Sequence, residues 1–250
     1  MARSVAHRKR GSWPAVAVAL LVAAGAGAQD GLYVGIGVGR DQGDITYTKT
    51  IGLDVPPPSE AAASDGAAGG FPAFRGTLGY RAPLIGQLFI AGEVETAIHG
   101  DDGAAGALRE GTGLGDRDVW PGGWTFDKGR SIGLNAKLGM APVGLLGDGG
   151  AAYVIVGLHR LGATMRLGFE NADMSDVTPW SRALRSWVRG VGVEFGSVAN
   201  RLAVEVRSTS SRAEWMDPEA GDGSVLGSPR VGHAFATAEW GIFLGFVRSF

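Results

Sequence analysis

The segment Ala236-Thr237-Ala238-Glu239-Trp240-Gly241-Ile242-Phe243-Leu244-Gly245-Phe246-Val247-Arg248-Ser249-Phe250 decides the fold. Ala236, Ala238, Trp240, Ile242, Leu244 and Phe246 alternate with Thr237, Glu239, Gly241, Phe243 and Gly245. Successive strand residues point to opposite faces, so one face of this strand is apolar and the other is mixed. The same period recurs upstream. Leu32, Val34, Ile36 and Val38 alternate with Tyr33, Gly35, Gly37 and Gly39, and Ile132, Leu134, Ala136, Leu138 and Met140 alternate with Ser131, Gly133, Asn135, Lys137 and Gly139. In all, the pattern predicts eight strands, at 31–40, 72–81, 87–98, 129–141, 151–160, 184–196, 201–211 and 233–250. In the sixth, Arg189 shares a face with Trp187, Val191, Val193 and Phe195, which calls for a bulge at Gly190 or a different register.

Long connections at 42–71, 99–128, 161–183 and 212–232 alternate strictly with short ones at 82–86, 142–150 and 197–200. An up-and-down barrel in an outer membrane has this asymmetry, with long loops outside and tight turns in the periplasm. The long stretches are rich in Gly, Ala, Asp and Pro, as in the run from Pro56 to Asp65, and read as solvated loops. Val119, Trp120, Trp124 and Phe126 leave open a further hairpin within 99–128, which would make ten strands.

The 250 residues include no Cys, which removes disulfides, zinc–thiolate sites, cysteine nucleophiles and a lipid-modified cysteine. Arg3, Arg8, Lys9 and Arg10, the apolar run from Ala15 to Ala24, and the small residues Ala26-Gly27-Ala28 have the layout of a secretory signal peptide over 1–28. Loss of that basic leader makes the chain more acidic than its formal net charge of −2, a poor balance for nucleic-acid binding. The remaining 29–250 reads as a single barrel domain.

On this register the second face carries Arg75, Glu93, Glu95, Lys137, Glu194, Glu205, Arg207 and Glu239 among many small residues. A small barrel has room inside mainly for small side chains, and buried charges persist when paired, so these eight are expected to form an ion network in the lumen. The apolar face would then meet lipid, and closure would remove the unpaired strand edges that lipid penalises. Tyr33, Phe74, Tyr80, Trp124, Phe126, Trp187, Phe195, Trp240 and Phe250 lie near strand ends, where aromatic girdles meet headgroups.

The C-terminal strand, with Trp240, Ile242, Leu244 and Phe246 in alternation and Phe250 at the end, resembles the signal read by the outer-membrane barrel-assembly machinery. Arg248 departs from that signal, at a place usually apolar or aromatic. With the Gly-rich strand Leu32 to Gly39, the pattern over nearly all of 29–250 resembles the small outer-membrane β-barrel family of the OmpA transmembrane domain, OmpX and the opacity-type proteins. The resemblance implies an all-β, eight-stranded antiparallel up-and-down transmembrane barrel with four long extracellular loops. The partners it implies are outer-membrane lipids and lipopolysaccharide, the assembly machinery and an extracellular ligand that the sequence does not identify, with no nucleic acid.

No catalytic, metal or cofactor site is expected. Gly35-Ile36-Gly37-Val38-Gly39 lacks the later glycine of a dinucleotide fingerprint and lies inside a strand. His99, His159 and His233 all fall at loop-side strand ends, and metal ligation would require them to converge. Barrels that deacylate lipid A place a His and a Ser two residues apart on one strand face. Here His233 is followed by Ala234-Phe235 and His159 by Arg160-Leu161. Glu93 and Glu95 would need a substrate-sized cleft to work as acid and base. The expected role is therefore non-enzymatic, a structural or surface-interaction protein. A narrow porin-like channel, a lipid A-modifying enzyme and a soluble periplasmic ligand-binding barrel are the alternatives.

Overall fold

The computed structural model describes residues 31–53, 59–100, 103–109, 122–168, 173–217 and 230–250. The leader expected over 1–28, together with Val119 and Trp120, lies outside them. The strands are β1 (Gly31–Leu53), β2 (Ser59–Pro83), β3 (Leu88–His99), β4 (Ala104–Leu108), β5 (Gly122–Met140), β6 (Ala151–Leu167), β7 (Trp180–Gly196), β8 (Asn200–Met216) and β9 (Arg230–Ser249). They form one antiparallel sheet in the order β3-β2-β1-β9-β8-β7-β6-β5-β4, and pairing of β3 with β5 closes the ring. The short β4 also pairs with β5, above β3, so β3 and β4 together make one of eight staves.

Seven of the nine strands, with 17 to 25 residues, are about twice as long as a bilayer requires. Crossing takes roughly 9–11 tilted residues, whereas β1 has 23 and β2 has 25. The excess corrects the loop boundaries expected from sequence. Residues 42–53 and 59–71, which read as loop, are paired strand in register from Gln42↔Gly70 to Leu53↔Ser59. Likewise 122–128, 161–167, 180–183, 212–216 and 230–232 belong to strands, and β4 lies inside the expected 99–128 connection. Trp124 and Phe126 are part of β5 itself rather than of an extra hairpin.

The physical reason is an inversion of polarity along each stave. On β1 the outward residues run Leu32, Val34, Ile36, Val38 and then Arg40, Gln42, Asp44, Thr46, Thr48. The inward residues run Tyr33, Gly35, Gly37, Gly39, Asp41 and then Ile45, Tyr47, Ile51. Below residue 39 the wall is apolar outside, as lipid demands; above it the wall is polar outside and apolar inside, as water demands. Outward Gly, Ala, Ser and Thr on the upper staves lowered the strand signal there, although backbone pairing is continuous. At about 2.5 Å of rise per tilted residue, the thirteen residues of β1 beyond Arg40 stand roughly 30 Å above the apolar belt.

The same division sorts the expected aromatic girdle. Phe74, Tyr80, Trp187, Phe195 and Trp240 are exposed on the outer wall, and Phe250 is half-buried. Tyr33, Trp124 and Phe126 are instead buried inside the barrel, because their positions have inward parity. At Arg189 the register runs unbroken, pairing it with Val156 and Ser208, so no bulge is needed at Gly190 and the guanidinium faces outward. The register shift falls in β5, between Lys128 and Ser131. It turns Lys128 inward, while Arg130 keeps the outward parity of Ile132 and Leu134.

Two glycines make room where the lumen is crowded. Gly79 pairs with Tyr33 and Gly192 with Tyr153. A Cβ at either glycine would come within 2.4 Å and 2.5 Å of its tyrosine ring, so each ring lies flat over a bare backbone. The tight ends of the barrel include the turn 84–87, where Gly86 takes φ +63°.

The belt boundary predicts unequal responses to the same substitution on one outer face. Leu134→Arg, within the belt, should lower the stability of protein refolded in lipid vesicles by about 2 kcal/mol, whereas Thr46→Arg should leave it within about 0.5 kcal/mol. Urea titration of the two variants measures this; equal losses would contradict the boundary.

Candidate functional site

The interior is stacked in layers. Among the described residues, six buried cations (Arg75, Arg81, Lys128, Lys137, Arg201, Arg207) face six buried carboxylates (Asp41, Glu93, Glu95, Glu194, Glu205, Glu239). This balance is what a low-dielectric interior tolerates, since each unpaired ion would cost several kcal/mol.

The eight charged residues singled out from sequence do not form one network. Glu194 lies in the lower layer, bridged at 2.7 Å by both Arg81 and Arg201. Arg201 also donates to Ser249 Oγ at 2.7 Å, which ties β8 to the C-terminal strand. Arg75, Glu93, Glu95, Lys137, Glu205 and Arg207 form the middle layer. There Glu205 is the hub, accepting contacts from Arg75 at 2.5 Å, Arg207 at 2.8 Å, Lys137 at 3.1 Å and the Tyr153 hydroxyl at 2.8 Å. Glu93 binds Lys137 at 2.6 Å and the Tyr33 hydroxyl at 2.8 Å, and Glu95 binds Arg207 at 2.8 Å. Phe243 lies under both guanidiniums, with Arg75 at 4.2 Å and Arg207 at 5.6 Å from the ring centre. Glu239 belongs to an upper layer, where Lys128 bridges it at 2.6 Å and Asp41 at 2.9 Å.

Four partners were missed: Arg81, Arg201, Asp41 and Lys128. The first three have the lumen parity of their strands, so extending the alternation by one or two steps would have found them. Lys128 has the wrong parity for β5 and reaches the lumen only because of the bulge that follows it.

Above the ions the barrel is closed by aromatic rings. Phe235 stacks on Tyr47 at 4.7 Å and on Phe126 at 5.7 Å, and meets Trp124 edge-on at 5.7 Å. Phe71 packs edge-on against Phe126 at 6.2 Å. The Trp124 indole N–H donates to Asp65 at 2.8 Å, so the buried ring keeps its polar atom satisfied.

The three histidines do not converge, and among the described residues no cluster of three or more His, Asp or Glu is arranged to hold a metal. His233 hydrogen-bonds Tyr47 at 2.8 Å within the aromatic layer. His99 and His159 line a lumen cavity of about 40 Å³ with Asp41, Arg75, Glu95 and Lys128. That volume holds a water or two and no substrate. Glu93 and Glu95, tied to different cations, do not face a common cleft.

Of the C-terminal residues, Trp240, Ile242 and Leu244 are exposed on the outer wall; Phe246 and Phe250 are half-buried there. The Phe250 amide donates to Leu32 O at 3.0 Å, so the end of the chain is fastened to the first strand.

Neither a protein-family profile nor a curated protein sequence matches the chain. Solved structures similar to it include small outer-membrane β-barrels. Neisserial surface protein A is 14% identical, with 90% of this chain and 100% of that one covered and a TM-score of 0.35. Ail, the attachment invasion locus protein of Yersinia pestis, is 14% identical, with 85% and 99% covered and a TM-score of 0.27. The outer membrane protease OmpT of Escherichia coli is 9% identical, with 86% and 97% covered and a TM-score of 0.32.

The hub predicts a steep cost for removing one ion. Glu205→Ala leaves Arg75, Lys137 and Arg207 with only Glu93 and Glu95 as counter-ions and should destabilise the refolded barrel by about 3–5 kcal/mol. Glu214→Ala removes the exposed partner of Arg212 and should cost under about 1 kcal/mol. Comparable losses in urea titration would show that the middle layer is solvated.

Proposed function

We propose that this chain is an outer-membrane protein, exported by its 1–28 leader, that works without catalysis as a sealed anchor for a cell-surface collar. The carrying observation is the filled lumen. Rings of Tyr47, Trp124, Phe126 and Phe235 lie over a charge-balanced ion layer, which supports an anchor over a channel. An eight-stave barrel is just wide enough for side chains to fill it, and here they do so at several levels. The pairing of the lumen carboxylates with cations supports a structural role for those groups rather than acid–base work.

The upper staves supply what a surface protein needs. They form a rigid, water-facing wall, roughly 30 Å tall above the belt at β1 and β2, bearing Thr46, Thr48, Ser64, Arg212 and Glu214 outward. Recognition by the strands of this collar fits the length of the staves.

Intact cells expressing Ser64→Cys should react with a membrane-impermeant maleimide, while Leu145→Cys, on a turn at the opposite end, should react only after the envelope is opened. The reverse pattern would overturn the orientation. The wild-type chain in planar bilayers should give no steady current; a sustained ion-selective conductance would overturn the sealed lumen.

A further inference from the structure

The outer wall carries a cluster of arginines on β5–β8. Arg160 on β6 lies directly opposite Arg185 on β7, and Arg185 lies directly opposite Arg212 on β8. Paired strand positions are about 4.5–5.5 Å apart at Cα, and like charges in such pairs repel. Arg189 sits four residues below Arg185 on the same face, and Arg130, which keeps the outward parity of Ile132 on β5, is exposed beside them. All five side chains are exposed. Arg212 has Glu214 as a partner. Among the described residues, no carboxylate lies within ion-pair distance of Arg130, Arg160, Arg185 or Arg189.

Their depth is specific. On β6 the apolar outer run Val154, Val156, Leu158 stops one outward step before Arg160; on β5 Ile132 stops one step before Arg130. On β7, Trp187 stands between Arg185 and Arg189, with its ring exposed at the same border as Trp240 on β9. Aromatic rings at that level mark the headgroup layer. Arg130, Arg160 and Arg185 therefore lie at the level of lipid phosphates, with Arg189 one outward step below Trp187, opposite Val156, and Arg212 three outward steps above Val206. Arg185, Trp187, Ser210 and Arg212 also line a shallow outward groove. Across the barrel β2 presents Ser64, Gly66, Ala68, Gly70 and Pro72 outward, with no charge, and Arg40 of β1 is flanked by Pro72 and Ile242 rather than by a second arginine. A general affinity for headgroups would not set arginines directly opposite one another on three adjacent strands.

We propose that the β5–β8 face binds a phosphorylated glycolipid of the outer leaflet, with Arg160 and Arg185 clamping one phosphate and Arg130, Arg189 and Arg212 flanking it. Arginine presents a planar fork that matches phosphate in a bidentate way, and an anion held between opposed guanidiniums turns their repulsion into attraction. The outward face and the adjoining apolar wall select a lipid over a soluble phosphate. The inference rests on the proposed outer-membrane location, but the binding test below reads the site in detergent and is independent of orientation in cells.

The experiment is native mass spectrometry of the full refolded chain in detergent, titrated with diphosphoryl lipid A, its dephosphorylated form, phosphatidylglycerol and inorganic phosphate. The wild type should retain diphosphoryl lipid A, and each of Arg160→Gln and Arg185→Gln should weaken retention by about tenfold. Thr46→Gln, elsewhere on the collar, should leave retention unchanged. Both arginines are exposed, so the variants should keep the heat-dependent gel mobility of the folded wild type. A variant that loses that mobility is replaced by Arg160→Lys or Arg185→Lys, which keep the charge without the fork and should weaken retention less. Equal retention of the dephosphorylated lipid, or no effect of substitution in folded protein, would overturn the site. Competition by phosphatidylglycerol or inorganic phosphate as effective as that by diphosphoryl lipid A would overturn the choice of ligand. If lipid A is retained as expected but Ser64→Cys proves inaccessible on intact cells, the location fails and the site stands.

Discussion

Closure of the β3–β5 pair is the contact on which the rest depends. A bilayer interior offers no water to unpaired N–H and C=O groups, so a sheet can cross only if its last edge meets its first. Pairing of Leu88↔Met140 through Ile98↔Arg130 supplies that last ladder. Once the ring is closed, every side chain points either to the lumen or outward, and each must suit what it meets at its own height. Lipid, headgroups and water follow one another outside. Inside, the order is a lower ion layer, the Glu205 hub, the Lys128 layer and then aromatic rings.

The inner layering complements the outer one. Where the outer wall is apolar, hydrophobic burial gives little drive for closure, because the same groups would meet lipid in either case. Ions around Glu205 and Glu194 connect staves that are distant in sequence, as in Arg81–Glu194 and Arg207–Glu95. Where the outer wall is wet, the usual soluble arrangement returns, and Phe71, Phe126 and Phe235 pack as a hydrophobic core. Membrane barrel and water-soluble barrel share the same eight staves, joined end to end near residue 39 of β1.

Legibility in the sequence followed this division. The lower staves were readable because outward Leu32, Val34, Ile36 and Val38 give a clean period of two against small residues. Above Arg40 the period persists, but its apolar members move to the other face and its outward members become Thr, Ser, Gly and Ala, which resemble a loop in composition. Long strands thus passed for long loops. At the ion layers, the parity that identified Glu205 and Arg207 also applied to Arg201 and Asp41, which lie just beyond or at the edge of the expected strand. The bulge in β5 breaks parity at Lys128. Which charge meets which across the lumen depends on stagger and tilt, and these have no local sequence signature.

Because the chain has no cysteine, single thiols can be placed along one outward face without background. Chains bearing Ile36→Cys, Val38→Cys, Gln42→Cys or Thr46→Cys, folded into lipid vesicles, would be exposed to a water-soluble maleimide. Inversion of polarity predicts protection at 36 and 38 and rapid reaction at 42 and 46, with the change falling across Arg40. Uniform reactivity along β1, or protection extending through residue 46, would contradict a barrel that leaves the bilayer halfway along its own strands.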